Sequence, residues 1–243
     1  MLLGASCLGA AKPAKATGEV RIRMAFNSRY APFSFLNPQG RAAGLVVDLL
    51  DLVGLAANID FDYVDRPWSR SQHMVQTGEL DGFCAPSTPD RQEYALFTQF
   101  ALFEDMGVMV SRADDKRVKP AMTFEDLRAL KLGAQIGASW VAGALKGIEI
   151  VQVRDIESLL AMIAAGRIDA TVAGAAEINA ALSASPDGER LRTTPFQPLH
   201  GAEFRIGLRR SLPDAEALIE RLDEAILHSR RVGAIGQVVA RYM

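Results

Sequence analysis

Apolar and polar residues alternate from residue 19 to residue 26, with Val20, Ile22, Met24 and Phe26 on one side and Arg21 and Arg23 on the other. A period of two is that of a half-buried strand, so a strand opens the folded part. Asn37-Pro38-Gln39-Gly40 is turn chemistry. Residues 45–57 follow as a largely buried helix that carries Asp48 and Asp51. Ile59, Phe61 and Tyr63 alternate again and predict a second strand. Residues 69–77 predict a helix closed by Gly78, since glycine takes a positive φ without a Cβ penalty. Residues 80–85 return as a strand.

The same order recurs later in the chain. Residues 150–153 read as a strand, and Ile156, Leu159, Leu160 and Ile163 have the i, i+3, i+4, i+7 spacing of one helix face. Gly166 stops that helix and residues 168–173 are a strand. Gly78-Glu79-Leu80-Asp81-Gly82-Phe83 and Gly166-Arg167-Ile168-Asp169-Ala170-Thr171 share a Gly-x-apolar-Asp turn. Two strand, helix, strand units of this kind imply two α/β lobes with mostly parallel sheets.

Between the units, residues 123–130 predict a short helix, with Thr123 as N-cap and Asp126 three residues on. Residues 131–136 are then the first strand of the second lobe, and Gly137-Ala138-Ser139-Trp140 opens the next helix. After the turn Pro186-Asp187-Gly188 the chain ends in helices over 214–229, with Leu218, Ile219, Leu222 and Ile226 inward, and over 232–242. No linker rich in Gly and Ser separates the lobes. Ordinary strands join them, a geometry that allows hinge closure.

Composition narrows the function. The 243 residues are 49% hydrophobic and 23% charged, which suits one large domain or two small ones and excludes disorder. With 27 Lys+Arg against 29 Asp+Glu and no basic block, nothing favours an electrostatic grip on nucleic acid. Cys7 and Cys84 are far apart and form no CxxC pair. Residues 1–16 are apolar and small, and Ala14-Lys15-Ala16 has the form of a signal-peptidase site, so they read as a secretory signal peptide cut after Ala16. No Lys or Arg precedes the apolar run, which is too short to span a bilayer. Gly4-Ala5-Ser6-Cys7 lacks the leucine usual three residues before a lipidated cysteine, so no lipid anchor is expected at Cys7. Cys84 reads as a small buried hydrophobe.

Several chemistries lack support. Ser139 is followed by Trp140 and Val141, so the second glycine of a nucleophile elbow is missing. His73, His200 and His228 have no metal-ligand spacing. No P-loop and no GxGxxG after a strand is present, and no cofactor is expected.

Four stretches together resemble the family 3 periplasmic solute-binding proteins, which deliver polar amino acids and related solutes to ABC importers. They are Tyr30-Ala31-Pro32-Phe33-Ser34-Phe35 ahead of the helix start at Gly44 to Asp48; Gly78-Glu79-Leu80-Asp81-Gly82 leading to Thr88-Pro89-Asp90-Arg91; Thr123-Phe124-Glu125-Asp126-Leu127 leading to Gly133-Ala134-Gln135-Ile136-Gly137; and Gly166-Arg167-Ile168-Asp169-Ala170. The likeness runs from about residue 19 to residue 242. It implies the two-lobed type II periplasmic-binding-protein fold, with a ligand cleft between lobes joined by two hinge strands. Carried over, lobe 1 is 19–103 plus 204–243, lobe 2 is 106–202, and the hinge passes near Glu104, Asp105 and Glu203.

The resemblance also implies site residues. Tyr30 matches the family's aromatic lid, while Asn27 stands in the place of an acid that holds the ligand's ammonium. Trp68 falls where the family places the aromatic on the ligand's other side. Arg91 matches the carboxylate-binding arginine, whose planar fork makes paired charge-assisted hydrogen bonds. Ser87 and Thr88 precede it in a segment about two residues shorter than usual. Ala138, Ser139 and Trp140 match the helix N-terminus that closes on the carboxylate. Gly174 stands where amino-acid binders place a second acid, and Glu177 or Glu104 is the expected substitute. With neutral residues at 27 and 174, the expected ligand is a small carboxylate with an apolar or aromatic body, with polar amino acids as the alternative.

The expected function is that of the periplasmic solute-binding component of an ABC importer, a monomer that closes on its ligand and meets a membrane permease. An alternative on the same fold is an enzyme of the cyclohexadienyl dehydratase type, for which Glu177 and Glu104 are the candidate general acids. A free-standing ligand sensor is a further alternative.

Overall fold

The computed structural model describes residues 20–136, 145, 147–199 and 201–242. The leader, Cys7 and His200 lie outside the described residues. Strand β1 (Val20–Phe26) turns Ile22, Met24 and Phe26 inward, as its alternation requires. Three short strands follow, β2 (Arg29–Tyr30), β3 (Ser34–Leu36) and β4 (Ala42–Ala43), in a small antiparallel sheet. Helix α1 (Leu45–Ala57) buries Leu45, Leu49, Leu50 and Val53 against the inward face of β1. It ends at Asn58 in the left-handed region, with φ 53°, and the Asn58 N–H returns to the carbonyls of Gly54 and Leu55. That reversal sends β5 (Ile59–Asp65) parallel to β1, with Ile22 opposite Phe61.

Helix α2 (Trp68–Thr77) stops at Gly78, φ 86°, and β6 (Gly82–Pro86) returns alongside β1. Helix α3 (Pro89–Gln92) and β7 (Ala95–Phe97) follow. Strand β8 (Phe103–Asp105) then carries the chain into a second sheet of β9 (Gly107–Arg112), β10 (Leu132–Gln135), β11 (Ile150–Val153), β12 (Ala170–Gly174) and β13 (Leu191–Pro195). Helix α4 (Ile156–Ala164) is capped by Asp155, which accepts the Ser158 N–H, and α5 (Ala175–Ala184) starts directly after β12. Strand β14 (Ala202–Arg209) brings the chain back, and α6 (Ala215–Arg231) and α7 (Ala234–Val239) close the first core.

The sheet orders are β5-β1-β6-β14-β7 and β11-β10-β12-β9-β13. In each, three strands run parallel, as the repeated unit predicts. The antiparallel remainder comes from the crossing: β14 runs against β6 and β7, and β9 runs against β12 and β13. The two crossings lie side by side, with Ala202 opposite Asp105, Glu203 opposite Glu104 and Phe204 opposite Phe103. Residues 123–130 form a 3-10 turn over Asp126–Ala129 rather than an α-helix, although Thr123 and Asp126 exchange the expected cap hydrogen bonds. The last helix is shorter than 232–242 because Gly233, at φ 76°, separates it from α6.

The repeated Gly-x-apolar-Asp turn has one physical job in both sheets. The Asp81 N–H donates to the Arg23 carbonyl at 2.9 Å while Asp81 Oδ2 accepts the Arg23 N–H at 2.9 Å. The Asp169 N–H donates to the Lys131 carbonyl at 2.8 Å while Asp169 Oδ2 accepts the Lys131 N–H at 2.8 Å. Each aspartate thereby clasps the start of its return strand, β6 or β12, to the neighbouring parallel strand, β1 or β10. Arginines neutralise both carboxylates: Arg23 and Arg209 on Asp81, Arg117 on Asp169.

Asp81 is 8% exposed at its side chain and Arg209 15%. Burial alone would raise the Asp81 pKa, but hydrogen bonds from Arg23 and Arg209 outweigh it and hold the pKa below its ordinary value. A depressed folded-state pKa adds stability above the ordinary carboxylate range, and that stability is lost as pH falls through the folded value. Asp81→Ala should therefore cost about 3 kcal/mol in urea unfolding at neutral pH, by orphaning a backbone N–H and two arginines. The deficit should shrink in acid. A deficit that does not change with pH would contradict the clasp.

Candidate functional site

The carboxyl ends of β1, β5, β6 and β12 and the two crossing strands converge on one cavity of about 510 Å³. This is where open α/β sheets bind ligands, since the loops leaving these ends point into a crevice. From lobe 1 come Asn27, Tyr30, Trp68, Thr88 and Arg91; from the crossing strands, Asp105, Ala202 and Phe204; from lobe 2, Gly174 and Glu177.

Arg91 is built into one wall. Its Nη1 donates to the Pro86 carbonyl at 2.7 Å and its Nε donates to Gln72 Oε1 at 3.0 Å. The guanidinium carbon lies 5.3 Å from the centroid of the Trp68 ring, a cation–π contact. Trp68 is held in turn by an edge contact to Phe83, with centroids 5.9 Å apart. Half-burial lowers the Arg91 pKa, yet a guanidinium stays charged at any physiological pH. Among the described residues no carboxylate forms an ion pair with it, and three of its five N–H groups remain for a ligand.

The acids lie on other walls. Asp105, at the end of β8, is 9% exposed, and its Oδ1 accepts the Ala176 N–H at 3.0 Å in the first turn of α5. Burial raises its pKa against the backbone N–H groups of Ala176 and Ala175, which lower it. Glu177, in the same first turn, is raised by burial, then by Asp105 and Glu157. Burial raises the Tyr30 hydroxyl as well, with Glu177 and Asp105 adding to it. Tyr30, Asp105 and Glu177 thus share one electrostatic neighbourhood.

Gly174 explains how the hinge acid fits. A Cβ built at Gly174 would collide with Asp105 Oδ2. The φ of Gly174 is an ordinary −70°, so the glycine is required by close approach and not by backbone conformation. The side-chain space at position 174 is occupied by the carboxylate of Asp105.

The other sequence-derived residues divide as follows. Asn27 lines the cavity, with its Oδ1 accepting the Arg29 N–H at 3.1 Å. Thr88 lines it too, whereas Ser87 accepts a hydrogen bond from Gln92 Nε2 at 2.9 Å and is not among the lining residues. Glu177 lines the cavity, while Glu104 is exposed beside Gly201 and does not. Ala138, Ser139 and Trp140 lie outside the described residues. His73 and His228 are exposed. Among the described residues no three of His, Cys, Asp and Glu cluster to hold a metal.

Among the polar groups at the site, sequence reasoning missed Gln72 and Asp105. Gln72 stands four residues after Trp68 and so shares its helix face, the signal that places it beside Arg91. Asp105 follows Phe103 by two in a strand, and that parity puts it on the buried side with Phe103 while Glu104 faces out. The cleft is therefore not stripped of acids by Asn27 and Gly174. It combines an oriented guanidinium with two carboxyl groups, an arrangement complementary to a small molecule bearing both an anion and a cation.

Crowding at position 174 is testable. Gly174→Ala should cost about 1–3 kcal/mol in urea unfolding by overpacking against Asp105, and combining it with Asp105→Ala should remove most of that cost. Additive single effects in this double-mutant cycle would contradict the contact.

The sequence profile of the bacterial extracellular solute-binding proteins, family 3, matches residues 22–243. A histidine-binding periplasmic protein of Escherichia coli (strain K12) is 25% identical over 235 residues, covering 91% of this chain and 86% of the relative. Among solved structures, the L-cystine solute receptor of Neisseria gonorrhoeae in its unliganded open conformation superposes with TM-score 0.73 at 15% identity, covering 94% of each chain. An ancestral cationic amino acid solute binding protein gives TM-score 0.73 at 19% identity, covering 91% of this chain and 95% of that one. At such identities the structural likeness shows the fold alone.

Proposed function

The chain belongs to the bacterial extracellular solute-binding proteins, family 3, and on that premise we propose that it is the periplasmic amino-acid-binding component of an ABC importer, a monomer that closes on its ligand and then meets a membrane permease. One observation carries the reading: a single cavity is lined by Arg91, whose guanidinium is oriented and lacks a carboxylate partner among the described residues, and by the carboxyl groups of Asp105 and Glu177. An α-amino acid presents the matching pair of charges on one carbon. The names of the relatives, which bind histidine, cationic amino acids and L-cystine, support the same solute class.

The roles follow from the chemistry. The free N–H groups of Arg91 take the ligand carboxylate, with Thr88 beside them. Asp105 and Glu177 take the ammonium, whose positive charge offsets the desolvation that raises both pKa values. Tyr30 and Trp68 flank the ligand body. The hinge is the paired stretch of β8 with the start of β14, so that 19–103 with 204–243 moves as one lobe and 106–202 as the other. Ligand contacts from both lobes favour the closed state over the open one, which is what a differential affinity needs to shift the equilibrium.

Calorimetry of the purified protein against the common amino acids tests the reading. At least one should bind with a Kd near or below about 1 μM, equivalent to about −8 kcal/mol. Arg91→Ala should weaken that binding about 100-fold by leaving the carboxylate unpaired. Absence of binding by every amino acid, or unchanged binding in Arg91→Ala, would contradict the proposal. Prephenate or arogenate incubated with the protein should be recovered unchanged, and turnover to an aromatic product would replace binding with catalysis.

A further inference from the structure

The charged groups described above occupy only part of the cavity. The same cavity is also lined by Phe26 from β1, Val46 and Leu50 from α1, Tyr63 from β5 and Cys84 from β6. These residues share the α1 side of the lobe 1 sheet: Leu50 belongs to the first core, Cys84, Val46 and Tyr63 pack against it, and Phe26 is buried on the same face of β1 as Ile22 and Met24. Phe26 and Tyr63 lean on one another with ring centroids 6.1 Å apart. The cavity thus continues from the charged cleft into an inner chamber beneath the amino-terminal turn of α1.

The chamber offers a ligand little that is polar. The Tyr63 hydroxyl is used by Asp51, whose Oδ1 accepts it at 2.7 Å. The hydroxyl of Ser34, another lining residue, donates to the Asn27 carbonyl at 2.7 Å. Burial raises the Cys84 pKa, so the thiol stays neutral. The acids of the cavity, Asp105 and Glu177, come from the crossing strand and from lobe 2 and are taken by the ligand's ammonium. A carboxylate pushed into the chamber would lose its water without gaining a partner, and a guanidinium or imidazolium would meet only the Tyr63 hydroxyl, already bonded to Asp51 and to the Val47 carbonyl. An aliphatic or aromatic group would exchange water for apolar contact on every side.

Resting on the amino-acid reading above, we infer that the bound amino acid carries a large apolar side chain, which enters this chamber of lobe 1 between α1 and strands β1, β5 and β6. Arg91 and the acids fix the head of the ligand, and the chamber selects its side chain. Val46 and Leu50 become specificity-determining residues, acting through the volume they leave open.

Calorimetry with L-phenylalanine, L-leucine, L-alanine, L-arginine and L-histidine reads the inference directly. Phenylalanine or leucine should bind at least about tenfold tighter than alanine, arginine and histidine, since a fully buried apolar side chain gains about one order of magnitude or more. Val46→Phe fills the chamber and should lower the phenylalanine-to-alanine affinity ratio at least about tenfold. If that variant fails to fold, Val46→Leu should move the ratio in the same direction. Arginine or histidine binding tighter than phenylalanine and leucine would overturn the chamber while leaving the amino-acid reading intact, as would an unchanged ratio in the folded variant. Failure of all five ligands and of every other amino acid would remove the amino-acid reading itself.

Discussion

The carboxylate of Asp105 can lie where it does only because residue 174 has no Cβ. That one steric allowance joins three parts of the molecule. Asp105 ends the strand that crosses between the sheets, Gly174 ends the central strand of the second sheet, and the Ala176 N–H that Asp105 accepts belongs to the helix leaving that strand. A charged group is thereby held at the junction of hinge, sheet and helix N-terminus, facing the cavity. The N–H groups and the helix dipole favour its ionised form while burial opposes it. In the proposed function a cationic ligand group resolves that conflict, so ligand recognition and hinge geometry would meet at the same side chain.

Aromatic stacking extends this arrangement to the other rim of the cleft. Phe103 and Phe204, opposite one another on the crossing strands, stack at 4.5 Å, and Phe33 stacks on both at 5.7 and 5.3 Å. Tyr30 leans on Phe33 at 4.7 Å. The short strand β2 that carries the exposed edge of Tyr30 is therefore anchored on the hinge strands. Arg91 is fixed independently, by Pro86, Gln72 and Trp68 within lobe 1. One wall of the cavity is held by contacts among lobe 1 residues, and the other is tied to the joint between lobes.

Most of the architecture is legible in the sequence because it is local. The alternation of β1, the helix face of Ile156, Leu159, Leu160 and Ile163, and the twin turns at Gly78 and Gly166 each lie within a short window. The aspartates of those turns even repeat the same clasp. The antiparallel half of each sheet is not legible, since the direction of β9 and β14 depends on where the chain crosses and returns. At the site, Arg91, Trp68 and Tyr30 carry recognisable surroundings, and all three line the cavity. Asp105 escaped because a family pattern directs attention to positions 27 and 174, whereas its contact with Gly174 joins residues far apart in sequence. The inner chamber escaped for a similar reason: Val46, Leu50, Tyr63 and Cys84 each read as ordinary core, and only their packing leaves space between them.

The central claim is that the acid supplied by the hinge replaces the acid missing from position 174, so that the cleft takes a zwitterion and not a simple anion. Calorimetry of the purified protein at neutral pH, comparing its tightest-binding amino acid with the analogue that lacks only the amino group, tests this most directly. The account predicts that the amino acid binds about 100-fold tighter, because the analogue leaves buried Asp105 and half-buried Glu177 without a counter-charge. Equal or tighter binding of the analogue would contradict it.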